Sequence, residues 1–237
     1  MRDHPRKPRA VHAIIPLNVL KKSKARLSPY LSTNQREQLT VAMLKDVLSA
    51  LRETRRVHSV LVVTADKTAR EIVKSFGATF LWEGRRRGLN KGVSLALKKC
   101  QSDGAKAVLV LHCDLPFLKS REIDKFLDQA EGYAVALTPS KDGSGTNALF
   151  LKPPQVIRPV FGKNSFRRHL ALAKQKDLPY KVMRFRGMRF DIDNPKDLAQ
   201  LMSKLPRNES GRFSKGFAKD IENASAKHYF NSRGYKR

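Results

Sequence analysis

Between Lys106 and His112 the chain reads KAVLVLH, and the unbroken apolar run inside it constrains the fold more than any other segment. A strand covered on one face alternates apolar and polar residues; one at the centre of a parallel sheet, covered on both faces, stays apolar throughout. Ala10 to Leu17 (AVHAIIPL) reads as a first buried strand that stops at a Pro, Val57 to Thr64 as a second and Thr79 to Trp82 as a short third. Helical patterns separate them. Leu39, Met43, Val47 and Leu51 recur at four-residue spacing behind the candidate caps Ser32 and Thr33, which predicts a helix over Asn34 to Glu53. Lys67 to Phe76, Gly88 to Gln101 and Ser120 to Ala130 follow as helices. Tyr133 to Thr138 and Asn147 to Leu151 are extended, Phe166 to Lys174 is helical, Tyr180 to Phe185 is extended, and Pro195 to Leu205 is a helix with Pro in its first turn. Strands alternating with helices predict an α/β fold with a doubly wound, mostly parallel, Rossmann-like sheet.

The 237 residues, 41% of them hydrophobic, suffice for one such domain over residues 1–205, followed by a basic tail over 206–237 where the apolar periodicity is lost, an appendage or a short helix packed on the surface. No apolar stretch approaches the roughly 18 to 20 residues needed to cross a bilayer, and no apolar signal core follows the charged N-terminus. The expected setting is therefore cytoplasmic, without a membrane partner. The two cysteines, Cys100 and Cys113, are too few for a disulfide framework or a Cys-rich zinc site. Lys and Arg outnumber Asp and Glu by 48 to 21, a net charge of +27 that favours anionic partners of any kind. Nucleic acid ranks as a secondary partner. Its candidate stacking residues are Phe213, Phe217, Tyr229, Phe230 and Tyr235 in the tail.

Ligands of open α/β sheets bind beyond the carboxyl ends of the strands, so the loops there come first. Pro16 to Leu27 (PLNVLKKSKARL) brings Lys21, Lys22, Lys24 and Arg26 directly after the first strand, a set able to hold a triphosphate or to form a solvated face. It is not a Walker loop, because no GxxxxGK[ST] occurs. Gly84 to Asn90 (GRRRGLN) opens a helix whose first amides favour an anion. His112 to Pro116 (HCDLP) puts Asp114 at the end of the central strand, and DIDNP puts Asp191 and Asp193 at the end of an extended segment. Two carboxylates from separate strand ends suit Mg²⁺, which takes one or two protein carboxylates and completes its octahedron with water and phosphate oxygens. Asp193 is also a candidate cap for the helix that follows. Asp142 to Thr146 (DGSGT) and Phe161 to Ser165 (FGKNS) offer close backbone approach and hydroxyl donors.

Taken in order, AIIPLNVLKKSKARL, LSTNQREQLTVAMLKDVLSAL, GLN, VLVLHCDLP, DGSGTNALFL, FGKNSFRRHLA and DIDNPKDL resemble the CofC-type guanylyltransferases of deazaflavin coenzyme F420 biosynthesis, within the MobA-like nucleotidyltransferase group. The resemblance spans roughly Val11 to Leu201. It implies a nucleotidyltransferase domain that transfers GMP from GTP to the phosphate of a small phosphorylated carboxylic acid, 2-phospho-L-lactate first, phosphoenolpyruvate or 3-phosphoglycerate otherwise. By position it implies Lys24, Arg26 and Asp114 as catalytic residues, Lys24 and Arg26 on the GTP phosphates, and Asn90 near the base. Asp114 and Asp193 would hold Mg²⁺, with Asp191 as a substitute for the second, and Thr146, Gly162 and Ser165 would hold the acceptor. Such an enzyme has a homodimer as its default state. The LAGGxSxRMG-like loop of MobA-like enzymes acting on other acceptors is missing, and FGKNS stands where FGPGS is common. A phosphate monoester, with a second pKa of about 6, is already an anionic nucleophile at neutral pH and needs no general base. His112 is accordingly read as structural.

Overall fold

A computed structural model describes residues 11–84, 88–204 and 206–223. Arg85 to Arg87 of the GRRRGLN motif, and Tyr229, Phe230 and Tyr235 of the tail, lie outside the described residues. The chain runs β1 (Val11–Pro16), α1 (Thr33–Glu53), β2 (Val57–Thr64), α2 (Arg70–Ser75), β3 (Thr79–Trp82), α3 (Leu89–Ser102), β4 (Ala107–Leu111), α4 (Ser120–Ala130) and β5 (Val135–Pro139). It continues through β6 (Thr146–Leu151), α5 (Ser165–Gln175), β7 (Tyr180–Val182), α6 (Arg186–Arg189), α7 (Pro195–Lys204) and α8 (Glu209–Asn223).

The seven strands form one sheet in the order β3-β2-β1-β4-β6-β5-β7. The β4 run is apolar throughout because both faces are covered. Ala107, Leu109 and Leu111 join the cluster that also holds α1 and α4 side chains, whereas Val108 and Val110 join Val93, Ala96 and Leu97 of α3 and Ala173 of α5. The sheet is mostly parallel, as expected, and β6 is its exception. β4 runs parallel to β1 but antiparallel to β6, and β6 is antiparallel to β5 as well. The Ser140–Gly145 turn reverses the chain directly into β6, with Gly143 at φ +77°, and a short turn can join only antiparallel neighbours. α5 then carries the chain back to β7, parallel to β5.

The predicted helix over Lys67 to Phe76 divides into a 3₁₀ turn, Lys67–Ala69, and α2. Asp66 caps the turn through Thr68 N–H at 3.0 Å, and its other oxygen accepts Leu20 N–H at 2.8 Å, tying the β1–α1 loop to the end of β2. At the other end of the chain, α8 packs on α1 and α7 and places Phe217 in a third apolar cluster with Leu39 and Met43 of α1 and Leu198 and Leu201 of α7. Asp46 of α1 accepts the N–H groups of Glu209 and Ser210 at 2.9 and 3.0 Å. A buried carboxylate from one helix thereby caps the start of another. With Phe217 buried and Phe213 packed against the same cluster, these two rings form a helix contact rather than an open base-stacking platform.

Candidate active site

The basic β1–α1 loop is a chain of tight turns rather than a solvated arm. Leu20 and Leu27 point into the core, so Lys24 and Arg26 between them are held against the strand ends. Lys24 itself is left-handed, φ +53° and ψ +39°, a conformation that costs a non-glycine residue roughly 1 kcal/mol or more and that packing must impose. It directs the ammonium inward. Lys24 Nζ lies 2.6 Å from Asp114 Oδ2 and 3.2 Å from Asp193 Oδ1. Side-chain exposure is 8% for Lys24 and 15% for Asp114 against 48% for Asp193, so the cation is shared by one buried and one half-exposed carboxylate.

The electrostatics follow from that placement. Burial disfavours the charge on Lys24, but Asp114 and then Asp193 outweigh it, and its pKa rises. Burial likewise opposes ionisation of Asp114, and the Lys24 charge overcomes it, holding the carboxyl below the usual range. Asp191 lacks such a cation. It accepts Asn147 Nδ2 at 3.1 Å, and burial, then Asp114 and Asp193, push it up to about 6. Cys113 is pushed up to about 12, chiefly by burial, which disqualifies it as a thiolate nucleophile. His112 is partly buried, with its pKa lowered by desolvation, and its ring packs 5.4 Å from that of Phe161.

Asp193 is not the cap of α7. Asn194 Oδ1 accepts the N–H groups of Lys196 and Asp197 at 2.9 and 3.2 Å, and Asp197 Oδ2 returns to Asn194 N–H at 3.2 Å. This reciprocal pair satisfies the helix start and leaves the Asp193 carboxylate to the site.

Two clefts meet over these charges. The first, about 520 Å³, runs along the β1–α1 loop past Glu83, Gly88, Leu89 and Gly92 at the start of α3. α3 begins without a side-chain cap, so its first amides stay available to a ligand. The second, about 820 Å³, is lined by the Ser140–Asn147 turn, Phe161 to Lys163, Ser165 and Asp191 to Asp197. Arg26, Leu89, His112, Asp114 and Asp193 line both.

Of the residues singled out in the sequence, Lys24, Arg26, Asp114 and Asp193 come together at the junction. Thr146, Gly162, Ser165 and Asp191 line the second cleft. Asn90, expected near the base, is engaged with the backbone of Phe161. Its Nδ2 donates to Phe161 O at 3.1 Å and its Oδ1 accepts Phe161 N–H at 2.7 Å, so both polar ends brace the wall between the clefts. Glu83 and His169 were not singled out in the sequence, and Asp142 only as the start of its turn. Glu83 lines the first cleft with one carboxylate oxygen buried and without a hydrogen-bond partner among the described residues. Asp142 organises its turn, accepting Ser140 Oγ at 2.5 Å and Ser144 N–H at 3.0 Å, which holds its pKa at about 2. His169 lies behind Thr146. Its sequence signal was its place four residues after Ser165, one helical turn along the same face.

A sheet of this order, with two clefts meeting over paired carboxylates beyond its strand ends, defines an α/β protein of the nucleotidyltransferase class. The fold matches a solved protein from Desulfovibrio desulfuricans G20 assigned to the nucleotide-diphospho-sugar transferases, with a TM-score of 0.72 over 90% of this chain and 97% of that one at 18% identity. The family model described as "Guanylyl transferase CofC like" matches residues 11–230, and the chain belongs to that family. Its relatives include a phosphoenolpyruvate guanylyltransferase of Sphaerobacter thermophilus, 36% identical over 82% of this chain and 93% of the relative. A 2-phospho-L-lactate guanylyltransferase of Methanobrevibacter smithii is 30% identical over 90% and 92%. A 3-phospho-D-glycerate guanylyltransferase of Colwellia psychrerythraea is 33% identical over 79% and 89%.

Proposed function

We propose that this protein is a guanylyltransferase that joins GMP from GTP to the phosphate of a phosphorylated three-carbon acid and releases pyrophosphate, in coenzyme F420 biosynthesis. The observation that carries the reading is the pair of clefts sharing Arg26, Asp114 and Asp193. The cleft that holds Lys22, Arg26 and the first amides of α3 takes the triphosphate; the other, walled by the fixed polar groups of the β5–β6 turn, takes the acid. A phosphate oxygen of the acid attacks the α-phosphorus, a P–O–P anhydride forms, and the bond to the β-phosphate breaks with its electron pair leaving on pyrophosphate. The acid's phosphate is already ionised, so the protein's task is to hold two anions in line and to stabilise charge as it shifts to the leaving group. Arg26 at the junction and the amides opening α3 offset that repulsion.

The carboxylates fit Mg²⁺. Asp114 Oδ1 is buried without a hydrogen-bond partner while Oδ2 is held by Lys24, so one ligating oxygen is free and ionised. Asp193, half exposed at the junction, is the second ligand we propose, since Asp191 is engaged by Asn147 and lacks a neighbouring cation. Among the described residues no group of three or more His, Cys, Asp or Glu converges as a metal cage, which accords with an ion that takes its remaining ligands from water and phosphate. When bound, it supplies charge neutralisation on the phosphates. Lys24 bridges the two carboxylates and holds Asp114 ionised.

Among the described residues no helix is long and apolar enough to cross a membrane. The two free cysteines accord with a reducing, cytoplasmic setting. Pyrophosphate release from GTP and Mg²⁺, measured with phosphoenolpyruvate, 2-phospho-L-lactate and 3-phosphoglycerate in separate reactions and with no acid as control, tests the proposal. Turnover with one acid is expected, with phosphoenolpyruvate the first to try because the relative named for it has the higher identity, 36% against 30% for the 2-phospho-L-lactate relative. Silence with all three from folded protein would refute it.

A further inference from the structure

The second cleft is backed by a histidine that the reaction as derived does not use. His169, in the second turn of α5, is fully buried. Its two ring nitrogens have different partners: Val160 N–H donates to Nε2 at 3.0 Å, and Nδ1 lies 3.0 Å from Thr146 Oγ1. A backbone N–H can only donate. Nε2 must therefore present its lone pair, and a neutral ring then carries its proton on Nδ1. An Nδ1–H cannot accept, so the Thr146 hydroxyl turns an oxygen lone pair to the ring and keeps its own proton for a partner elsewhere. The ring is locked in this pose by Phe161, edge-on at 4.9 Å, whose backbone is gripped by Asn90. Burial, reinforced by Arg168 and His112, lowers the His169 pKa to about 4 and keeps the ring neutral.

We propose that His169 is a positioning residue for the acceptor: as the Nδ1–H tautomer it fixes the Thr146 hydroxyl as a donor into the second cleft, toward an ionised carboxylate or phosphate oxygen of the acid. The inference rests on the guanylyltransferase reading for the identity of the acid, but not for the tautomer or the direction of the hydroxyl. It explains why a fully buried, doubly bonded imidazole stands directly behind the cleft wall. A plain aliphatic residue would fill the space and leave Thr146 free to turn its proton away.

Three variants separate this role from mere support of the Val160 backbone. His169→Asn keeps a donor near the Nδ1 position, His169→Gln keeps an acceptor near the Nε2 position, and Thr146→Val removes the hydroxyl. A hydrogen bond to a charged group corresponds to about a tenfold change in KM or more. The expected result is that rise in KM for the acid in Thr146→Val and His169→Gln, with KM for GTP within about twofold of wild type. His169→Asn should stay near wild type, and the Thr146→Val/His169→Gln double variant should show no further loss. Rescue by His169→Gln but not by His169→Asn, or a Thr146→Val variant with unchanged KM, would overturn the proposal. Lactate and methyl phosphate, each bearing one of the two oxyanions, identify the group on Thr146. The one that sits there loses its competitive inhibition in Thr146→Val; if neither does, the proposal fails. Nitrogen-15 spectra of the full-length protein give an answer independent of turnover. At neutral pH Nδ1 should be protonated and Nε2 not, and the opposite tautomer or an imidazolium would refute the inference. Wild-type silence with every acid would instead strike the transferase reading, and the ring spectrum would still decide this one.

Discussion

The two clefts share a floor and differ in how they are made. The first is bounded by parallel βα loops and offers cations and backbone amides: a left-handed Lys24, an Arg on the next tight turn, and helix-start amides without a cap. The second is bounded by the antiparallel β5–β6 turn and sets among its charged side chains a group of fixed, neutral hydrogen-bonding residues, Ser140, Thr146, Asn147 and Ser165, backed by His169, all of them buried. Charge gives affinity for polyphosphates with little regard to shape. Oriented donors in a buried wall discriminate, because a ligand that cannot pair with them leaves them unsatisfied. The chain thus divides labour, with strength of binding on the nucleotide side and selectivity on the acid side.

The shared floor is where the comparison breaks most sharply. Asp114→Asn should lower acceptor-dependent pyrophosphate release by on the order of 10³-fold with an unchanged circular dichroism spectrum. Full activity would remove the floor from the chemistry. Lys24→Met should reduce activity and also destabilise the fold by about 3 kcal/mol, the low end for one partner of a buried ion pair because Asp193 is half exposed. For a chain of this size that is a fall of roughly 10 °C in melting temperature. A Lys24→Met protein that melts like wild type would show that the cation is not what holds the junction.

The second cleft should instead reveal itself through pH. The folded pKa of His169 is depressed to about 4, below the unfolded value of about 6.5, so the unfolded chain binds the extra proton first. Its share of stability is complete above about pH 6.5 and is lost as pH falls toward 4, by about 3 kcal/mol. His169→Asn should flatten that part of the stability profile in urea denaturation, and an unchanged profile would contradict a neutral buried ring. The smallest effect belongs to α8. Asn208 accepts Gly211 N–H at 3.0 Å as a cap and donates to Pro116 O at 2.7 Å, close behind Asp114. Asn208→Ala should cost about 1 kcal/mol of stability, and no measurable loss would show that α8 docks through its apolar face alone.

Much of this was legible locally. β2 ends where the pattern placed it, and the KAVLVLH run is the central strand. The reversal of β6 was not, since alternation and burial mark a strand without marking its direction, although DGSG did announce a turn. In DIDNPKDL the sequence offered Asp193 as a cap, and the choice of Asn194 instead depends on the returning Asp197 carboxylate. α8 was one of two readings of the tail, an appendage or a short surface helix; its docking depends on Asp46, which caps it from 163 positions before Glu209.

By itself the sequence determined the order of strands and helices and the kinds of side chain delivered to each strand end, because periodicity and turn chemistry act over a few residues. The tertiary structure alone decided which charges share a cation, which nitrogen of His169 bears its proton, and that two clefts meet at Asp114. Lys24 reaches its two carboxylates across 90 and 169 positions of chain, and interactions that fall off with distance in space leave no trace in a one-dimensional pattern.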